Sequence, residues 1–102
     1  MDELRFEWDP NKAKTNVEKH GISFEEATTV FADEQAVLFD DPDHSEDEDR
    51  SILLGFSAMA KMLIVCHCLR EEGNVIRIIS ARKATKTEEK QYAEINQGWR
   101  II

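Results

Sequence analysis

A chain of 102 residues, of which 41% are apolar, can bury one hydrophobic core and is too short for two domains of ordinary size. It contains no run of 18 apolar residues, and its acidic start, MDELRFEWD, differs from the basic and then hydrophobic start of a signal peptide. We therefore expect one domain, residues 1–102, that is cytoplasmic and neither secreted nor inserted in a membrane.

The net charge of −8 argues against nucleic-acid binding when it is taken alone, because phosphates are bound through Lys and Arg. The charge is unevenly distributed, however. Residues 33–49 hold nine of the 21 acidic residues and no Lys or Arg, which leaves 13 basic and 12 acidic residues elsewhere. Residues 74–90 carry five basic residues against two acidic ones. The chain therefore combines one acidic segment with one local basic region.

The two cysteines, Cys66 and Cys68, lie two positions apart in a predicted strand, so their side chains share a face about 7 Å apart. That separation is too long for an easy disulfide. No Cys or His spacing is typical of a zinc site. We expect reduced, packed thiols and neither a metal nor a cofactor.

The amino-terminal region predicts a short strand over residues 3–8 and then a helix from Pro10 to His20. Asp9 is placed as its N-cap and Gly21 as its C-cap, with Ala13, Val17 and His20 on one face. A capping box at Ser23 and Glu26 predicts a second helix that runs to about Phe31. Its buried stripe would be Phe24, Ala27, Val30 and Phe31.

The rest of the chain predicts strands and one more helix. Residues 36–39 form a short strand, 40–49 an exposed loop, and SILLGFS, MLIVCHCLR and VIRIISAR a three-stranded meander. These strands are apolar on both faces, so each face should be at least partly covered. Thr85 and Glu88 form a further capping box, followed by Tyr92, Ile95 and Trp99 at helical spacing.

Three strings of the sequence, in order, resemble the BrnT family. They are FEWDPNKAKTNVEKHGISFEEATTVF, DHSEDEDRSILLGFS and VIRIISARKATKTEEKQY, and together they span about residues 5–92. The resemblance implies an α+β, RelE-like fold: an antiparallel sheet of about four strands, two amino-terminal helices and a carboxy-terminal helix. It also implies a ribonuclease toxin that stops translation and is neutralised by a BrnA-like antitoxin with a ribbon-helix-helix part. A homodimer and an antitoxin-bridged pair of toxins are both left open.

Metal-free RNA cleavage needs an acid, a base and cations around the phosphate. We predict Arg82 as the phosphate ligand and Lys86 as its helper, with a salt bridge from Arg82 to the acidic segment or to Glu88 and Glu89 as the structural alternative. Arg77 has the opposite strand parity from Arg82, so the two point to different faces unless a bulge or the strand end intervenes. Arg77 is either an RNA contact or a structural residue paired with a carboxylate. Further RNA contacts are predicted at Lys83 and Lys90.

Histidine suits proton transfer because its unperturbed pKa lies nearest neutral pH. His44, in the acidic segment, is the preferred catalytic residue together with Arg50 of the same family string. Acidic neighbours would raise the pKa of His44, which favours a general acid, but they would also repel RNA. His67 is predicted to lie in the core and His20 at a helix end. His20, Glu89 and Tyr92 are secondary candidates.

Two rival functions follow from the acidic segment. One is a BrnT-like protein-binding module that is catalytically weak or inactive, which the net charge supports. The other is an acidic mimic of nucleic acid, against which the basic region counts. A divalent ion at Asp40, Asp41, Asp43, Asp47 and Asp49 is disfavoured because the spacing lacks the EF-hand pattern and its glycine.

Overall fold

The computed structural model describes residues 4–42 and 49–97, which form an α+β fold. Trp99 and residues 43–48, with His44 among them, lie outside this range. The described part contains five strands and three α-helices. In chain order they are β1 (Arg5–Glu7), α1 (Pro10–His20), α2 (Phe24–Thr29), β2 (Val37–Asp40), β3 (Arg50–Phe56), β4 (Met62–Arg70), β5 (Val75–Lys83) and α3 (Lys86–Gln97).

The strands form one sheet in the order β1-β5-β4-β3-β2. The predicted meander is confirmed as β3-β4-β5, with β2 antiparallel to β3. The predicted antiparallel sheet of about four strands was wrong, because there are five strands and β1 runs parallel to β5. The alternation of a three-residue strand carries no information on its direction or on a partner about 70 residues away.

Helices cover both faces of the sheet, as the apolar strands predicted. One face packs against α1 and α2 through a core that includes Phe24, Val65 and Ile78. The other face carries a smaller cluster of Leu54 and Ile64 beneath Tyr92 of α3. None of the described helices is long and apolar enough to cross a membrane.

The ends of α1 agree with the sequence, but its buried side does not. The Asp9 carboxylate accepts a hydrogen bond from the Asn11 backbone N–H at 2.8 Å, and Gly21 ends the helix at φ 70°. Val17, predicted to be packed, is 48% exposed, and His20 is also exposed. Asn16 is buried instead, with 5% of its surface exposed. An apolar pattern cannot identify the buried side of a helix when the buried side chain is polar.

Asn16 ties α1 to the edge of β5. Its Nδ2 donates to the carbonyl oxygens of Ile22 at 2.9 Å and Ala81 at 2.8 Å, and its Oδ1 accepts from the Ala81 N–H at 3.1 Å. β1 pairs only with residues 75–77 of β5, so Ala81 lies on a part of the edge that β1 does not reach. The Asn16 amide therefore pairs with the strand edge as a neighbouring strand would.

The second helix begins as predicted and ends earlier. The Ser23 Oγ accepts from the Glu26 N–H at 3.0 Å, but α2 ends at Thr29, and a 3₁₀ turn over Val30–Ala32 follows. The Glu26 carboxylate does not complete the capping box. It is buried and accepts from the Ser57 hydroxyl at 2.8 Å.

Gly55 is required where β3 passes the 3₁₀ turn over Val30–Ala32 and the residues that follow it. A Cβ at this position would lie 2.9 Å from both the Ala36 Cβ and the Asp33 Oδ2. Gly55 and Ser57, at the end of the second string, thus have structural explanations. Gly55 permits the close approach of β3 to Asp33 and Ala36, and the Ser57 hydroxyl binds Glu26.

We expect Asn16→Ala to lower the free energy of unfolding by roughly 3 kcal/mol, because it removes three buried hydrogen bonds and leaves backbone groups unsatisfied. Urea unfolding followed by circular dichroism measures this. Asn11→Ala, an exposed asparagine on the same helix, should change stability by less than about 0.5 kcal/mol. Equal losses in the two variants would contradict the role given to Asn16.

Candidate functional site

A β-bulge in β5 brings Arg77 and Arg82 to the same side of the sheet. His67 pairs with Ile78 and Cys66 with Ser80, so Ile79 is an extra residue on β5. Ile78 and Ala81 both lie in the core beneath α1 and α2, which is possible only because the alternation restarts at the bulge. Arg77 and Arg82 therefore both lie on the opposite side, the one that α3 partly covers.

Three strands align further residues with Arg77. Arg50 of β3 pairs with Cys68 of β4, Cys68 pairs with Arg77, and Arg77 pairs with Glu7 of β1. Directly paired residues point to the same side of a sheet. Arg50, Arg70, Arg77 and Arg82 are called the arginine face below.

Glu7 joins two members of the arginine face. Its Oε2 lies 2.9 Å from the Arg77 Nη1 and 3.3 Å from the Arg70 Nε. The side chains of Arg77 and Arg70 remain 32% and 53% exposed. One carboxylate between two guanidinium groups leaves a net positive charge that is open to solvent. Of the two roles left open for Arg77, the structure shows the pairing with a carboxylate.

Arg82 forms the salt bridge to Glu88 that the sequence offered as its structural alternative. Its two terminal nitrogens bind the two carboxylate oxygens at 2.8 and 2.9 Å. Glu88 also completes the predicted capping box with Thr85, in both directions. The bond from Arg82 lowers the pKa of Glu88 to about 2, and Glu88 in turn raises the pKa of Arg82.

Asp41 corrects the prediction that residues 40–49 form an exposed loop throughout. Asp40 is the last residue of β2, and Asp41 is only 8% exposed. The Asp41 N–H donates to the Arg50 carbonyl at 3.1 Å, and its carboxylate accepts from the Cys66 thiol at 3.3 Å. Burial and this carboxylate raise the pKa of Cys66 to about 12. Both cysteines are reduced and buried, as predicted.

The histidines occupy different environments. His67 is buried, stacks edge-on against Phe31, and has a lowered pKa because burial disfavours its charged form. Its predicted core position is confirmed. His20 lies at the end of α1, on the side of the sheet that α1 and α2 cover. The arginine face is on the opposite side. The structure does not describe His44.

Tyr92 is a packing residue between α3 and the sheet. It is buried, contacts Phe56 edge-on, and donates its hydroxyl to Asp33 at 2.9 Å. Burial and the neighbouring Asp33 carboxylate raise its pKa to about 12. Although burial alone would raise the pKa of Asp33, the hydrogen bonds from Phe56, Gln35 and Tyr92 lower it. The Tyr92 hydroxyl is therefore poorly suited to proton transfer.

The remaining candidates are exposed charged residues. Lys83 closes β5 and Lys86 begins α3, while Glu89 and Lys90 follow on the surface of that helix. Lys90 lies 3.8 Å from Glu94, one turn away. Within residues 4–42 and 49–97, no group of three or more His, Cys, Asp or Glu side chains is arranged to hold a metal ion.

The family model of the ribonuclease toxin BrnT, of type II toxin–antitoxin systems, matches residues 8–88. The chain belongs to the BrnT family. The structure is similar to the crystal structure of the Brucella abortus ribonuclease toxin BrnT, with a TM-score of 0.64 and 22% identity over 82% of this chain and 100% of the other. At that identity the likeness shows a shared fold. No curated protein sequence matches the chain.

The matched range contains all four arginines of the arginine face, whereas Glu7 lies just before it. The resemblance to the BrnT family, inferred from the three strings, is thus confirmed. Glu7 and Arg77 stand in the first and the third of those strings, whereas Arg70 stands in none of them.

Sequence reasoning missed several residues around the arginine face. Arg70 ends a predicted strand and showed no motif, and Glu7 was read only as the polar position of an alternating strand. Glu7 becomes a neighbour of Arg77 through the long-range pairing of β1 with β5, and it is the residue that joins Arg70 to Arg77. Asp41 stands among several acidic residues, so the sequence analysis did not identify it as buried. A sequence signal did exist there, since Asp41 directly follows an apolar strand.

The Arg82–Glu88 pair makes stability depend on pH. A carboxylate whose pKa is lowered on folding adds stability above its ordinary pKa of 4.5, and that stability is lost as the pH falls toward about 2. We expect Glu88→Gln to cost about 1 kcal/mol at pH 7, since the pair is partly exposed to solvent. Its difference from the parent should shrink as the pH approaches 2.

Urea unfolding of both proteins between pH 7 and 2.5 measures this difference. Glu89→Gln, a change of the same charge at an exposed neighbouring position, is the control and should follow the parent. A Glu88→Gln difference that stays constant across this pH range would contradict the assignment.

Proposed function

We propose that the chain is a RelE-like endoribonuclease that cleaves RNA on its arginine face without a metal ion, and so inhibits translation in the cytoplasm. The observation that carries the proposal is that the β5 bulge gathers Arg50, Arg77 and Arg82 on one side of the sheet. Membership of the BrnT ribonuclease toxin family supports it. We further propose neutralisation by a BrnA-like ribbon-helix-helix antitoxin, in an antitoxin-bridged assembly or with a homodimer of the toxin.

The arginine face suits the charge that develops during phosphodiester cleavage. Guanidinium groups bind phosphate oxygens in a fixed geometry and keep their charge at any working pH. Arg70 and Arg77 share one carboxylate, so together they keep one net positive charge for a phosphate. Arg82 is held in place by Glu88, and Lys86 begins the adjoining helix. Lys83 and Lys90 would add contacts to neighbouring phosphates.

His44 is the proposed general acid for the leaving 5′-oxygen. Asp41 and Asp49 flank the segment that contains His44, and the Asp41 N–H donates to the Arg50 carbonyl. This contact supports the proposal that the segment acts beside the arginine face. His67 is buried and Tyr92 holds its proton, so neither competes with His44. Glu89 is the remaining candidate for the base, since His20 lies on the side of the sheet opposite the arginine face.

A weakly active or inactive protein-binding module is the second candidate. The observation that favours it is that Arg77 and Arg82 already have carboxylate partners. With a net charge of −8, such a protein would approach RNA slowly.

Cleavage of a labelled single-stranded RNA and a labelled hairpin, at low salt and with EDTA present, separates the two candidates. The parent should cut at least one RNA and should leave its 2′-O-methyl form intact, because the 2′-OH is the nucleophile. His44→Ala and Arg82→Ala should each lower kcat by about 100-fold or more. The double variant should fall to background.

Lys14→Gln removes an exposed charge on α1 and serves as the control for charge alone, with circular dichroism as the check on folding. Because Arg82→Ala also breaks the bond to Glu88, Arg82→Lys is included. It keeps the charge and loses the two-point contact, so it should remain folded with lowered kcat. Absence of cleavage by the parent, or equal cleavage by the parent and the double variant, would remove the mechanism.

A further inference from the structure

A groove between α1 and β5, called the α1 groove below, lies outside the arginine face. Its volume is about 280 Å³, and it is open to solvent on one side. Most of the residues that line it are polar or basic: Asn11, Lys12, Thr15, Lys19, His20 and Ser80. Among the described residues, no Asp or Glu lines it.

The groove is a positive region on a negative protein. Helix α1 carries Lys12, Lys14 and Lys19 against Glu18 alone, whereas the whole chain has a net charge of −8. Lys12 and Lys19 are seven positions apart, so they lie on the same side of the helix about 10 Å apart along its axis. The groove thus presents two cations at a spacing that can follow an extended polyanion.

The two lysines are available for a ligand. Both are exposed, and within the described ranges neither forms an ion pair. This distinguishes them from Arg77 and Arg82, which hold carboxylates. A ligand phosphate would gain contacts here without displacing a protein partner.

The groove exists because the edge of β5 is only partly covered. β1 pairs with residues 75–77, and Asn16 pairs with Ala81. Between these two points lie Ile79 and Ser80, which form the floor of the groove next to α1. Ser80 also pairs with Cys66, which lies two positions along β4 from Cys68, the partner of Arg77. The two basic surfaces therefore adjoin at the bulge.

We propose that the α1 groove binds the phosphate backbone of single-stranded RNA, continuing over the edge of β5 from the arginine face. The proposal rests on the proposed function for the identity of the ligand. It assigns Lys12 and Lys19 to binding and not to the chemical step. Such contacts lower KM and leave kcat unchanged, since they act equally on substrate and transition state.

The test measures fluorescence anisotropy of a labelled 2′-O-methyl single-stranded RNA, which binds without being cut, over a range of salt concentrations. Each phosphate contact to a single strand contributes about 0.7 to the slope of log K against log salt. Lys12→Gln/Lys19→Gln should weaken binding by about tenfold at low salt and reduce that slope by about 1.4. Lys14→Gln, on the same helix but outside the groove, should match the parent in slope.

Kinetics on cleavable RNA give the second readout. The double lysine variant should raise KM by about tenfold with kcat unchanged, whereas His44→Ala lowers kcat. Affinity and slope equal to those of Lys14→Gln would overturn the α1 groove, whatever the outcome for cleavage. If the parent binds RNA through Lys12 and Lys19 but does not cut it, the proposed function fails and the groove stands.

Discussion

The pairing of Asn16 with Ala81 is the constraint on which the arrangement of this domain depends. A single buried amide satisfies both backbone groups of Ala81 and the carbonyl of Ile22, so it joins α1, the entry to α2 and the central meander at one point. Burying an amide is unfavourable unless its hydrogen bonds are made, and here they are. It holds α1 beside β5 while leaving the bulge uncovered, which creates the groove and its basic lining.

The two sides of the sheet contribute differently to stability and to the proposed site. The side beneath α1 and α2 carries most of the apolar core, so it provides most of the hydrophobic stabilisation. The side toward α3 has a smaller apolar cluster near Tyr92, and it also carries the two cysteines and the arginine face. Ionic contacts there link strands and helix: Glu7 connects β1 to β4 and β5, and Glu88 connects β5 to α3. The same guanidinium groups that brace these elements form the proposed site.

The sequence predicted features that depend on neighbouring residues. The boundaries of α1 and β4 and the capping box at Thr85 follow from local patterns, and the structure has them as predicted. Features set by distant partners were not predictable in the same way. The parallel pairing of β1, the burial of Asp41 and the polar contact side of α1 each require knowledge of which segment lies opposite. Arg77 and Arg82 were expected on opposite sides unless a bulge or the strand end intervened, because nothing in VIRIISAR reveals where alternation breaks.

The extra residue at Ile79 means that strand length, rather than residue identity alone, determines where the basic side chains lie. Arg77 and Arg82 are five positions apart, so strict alternation at this length would turn one of them toward the apolar core, where an unpaired charge is costly. Deleting one residue between them would leave them four positions apart and keep both on the same side without a bulge. A strand that loses the bulge therefore has to lose a residue as well, and a strand of unchanged length has to keep it.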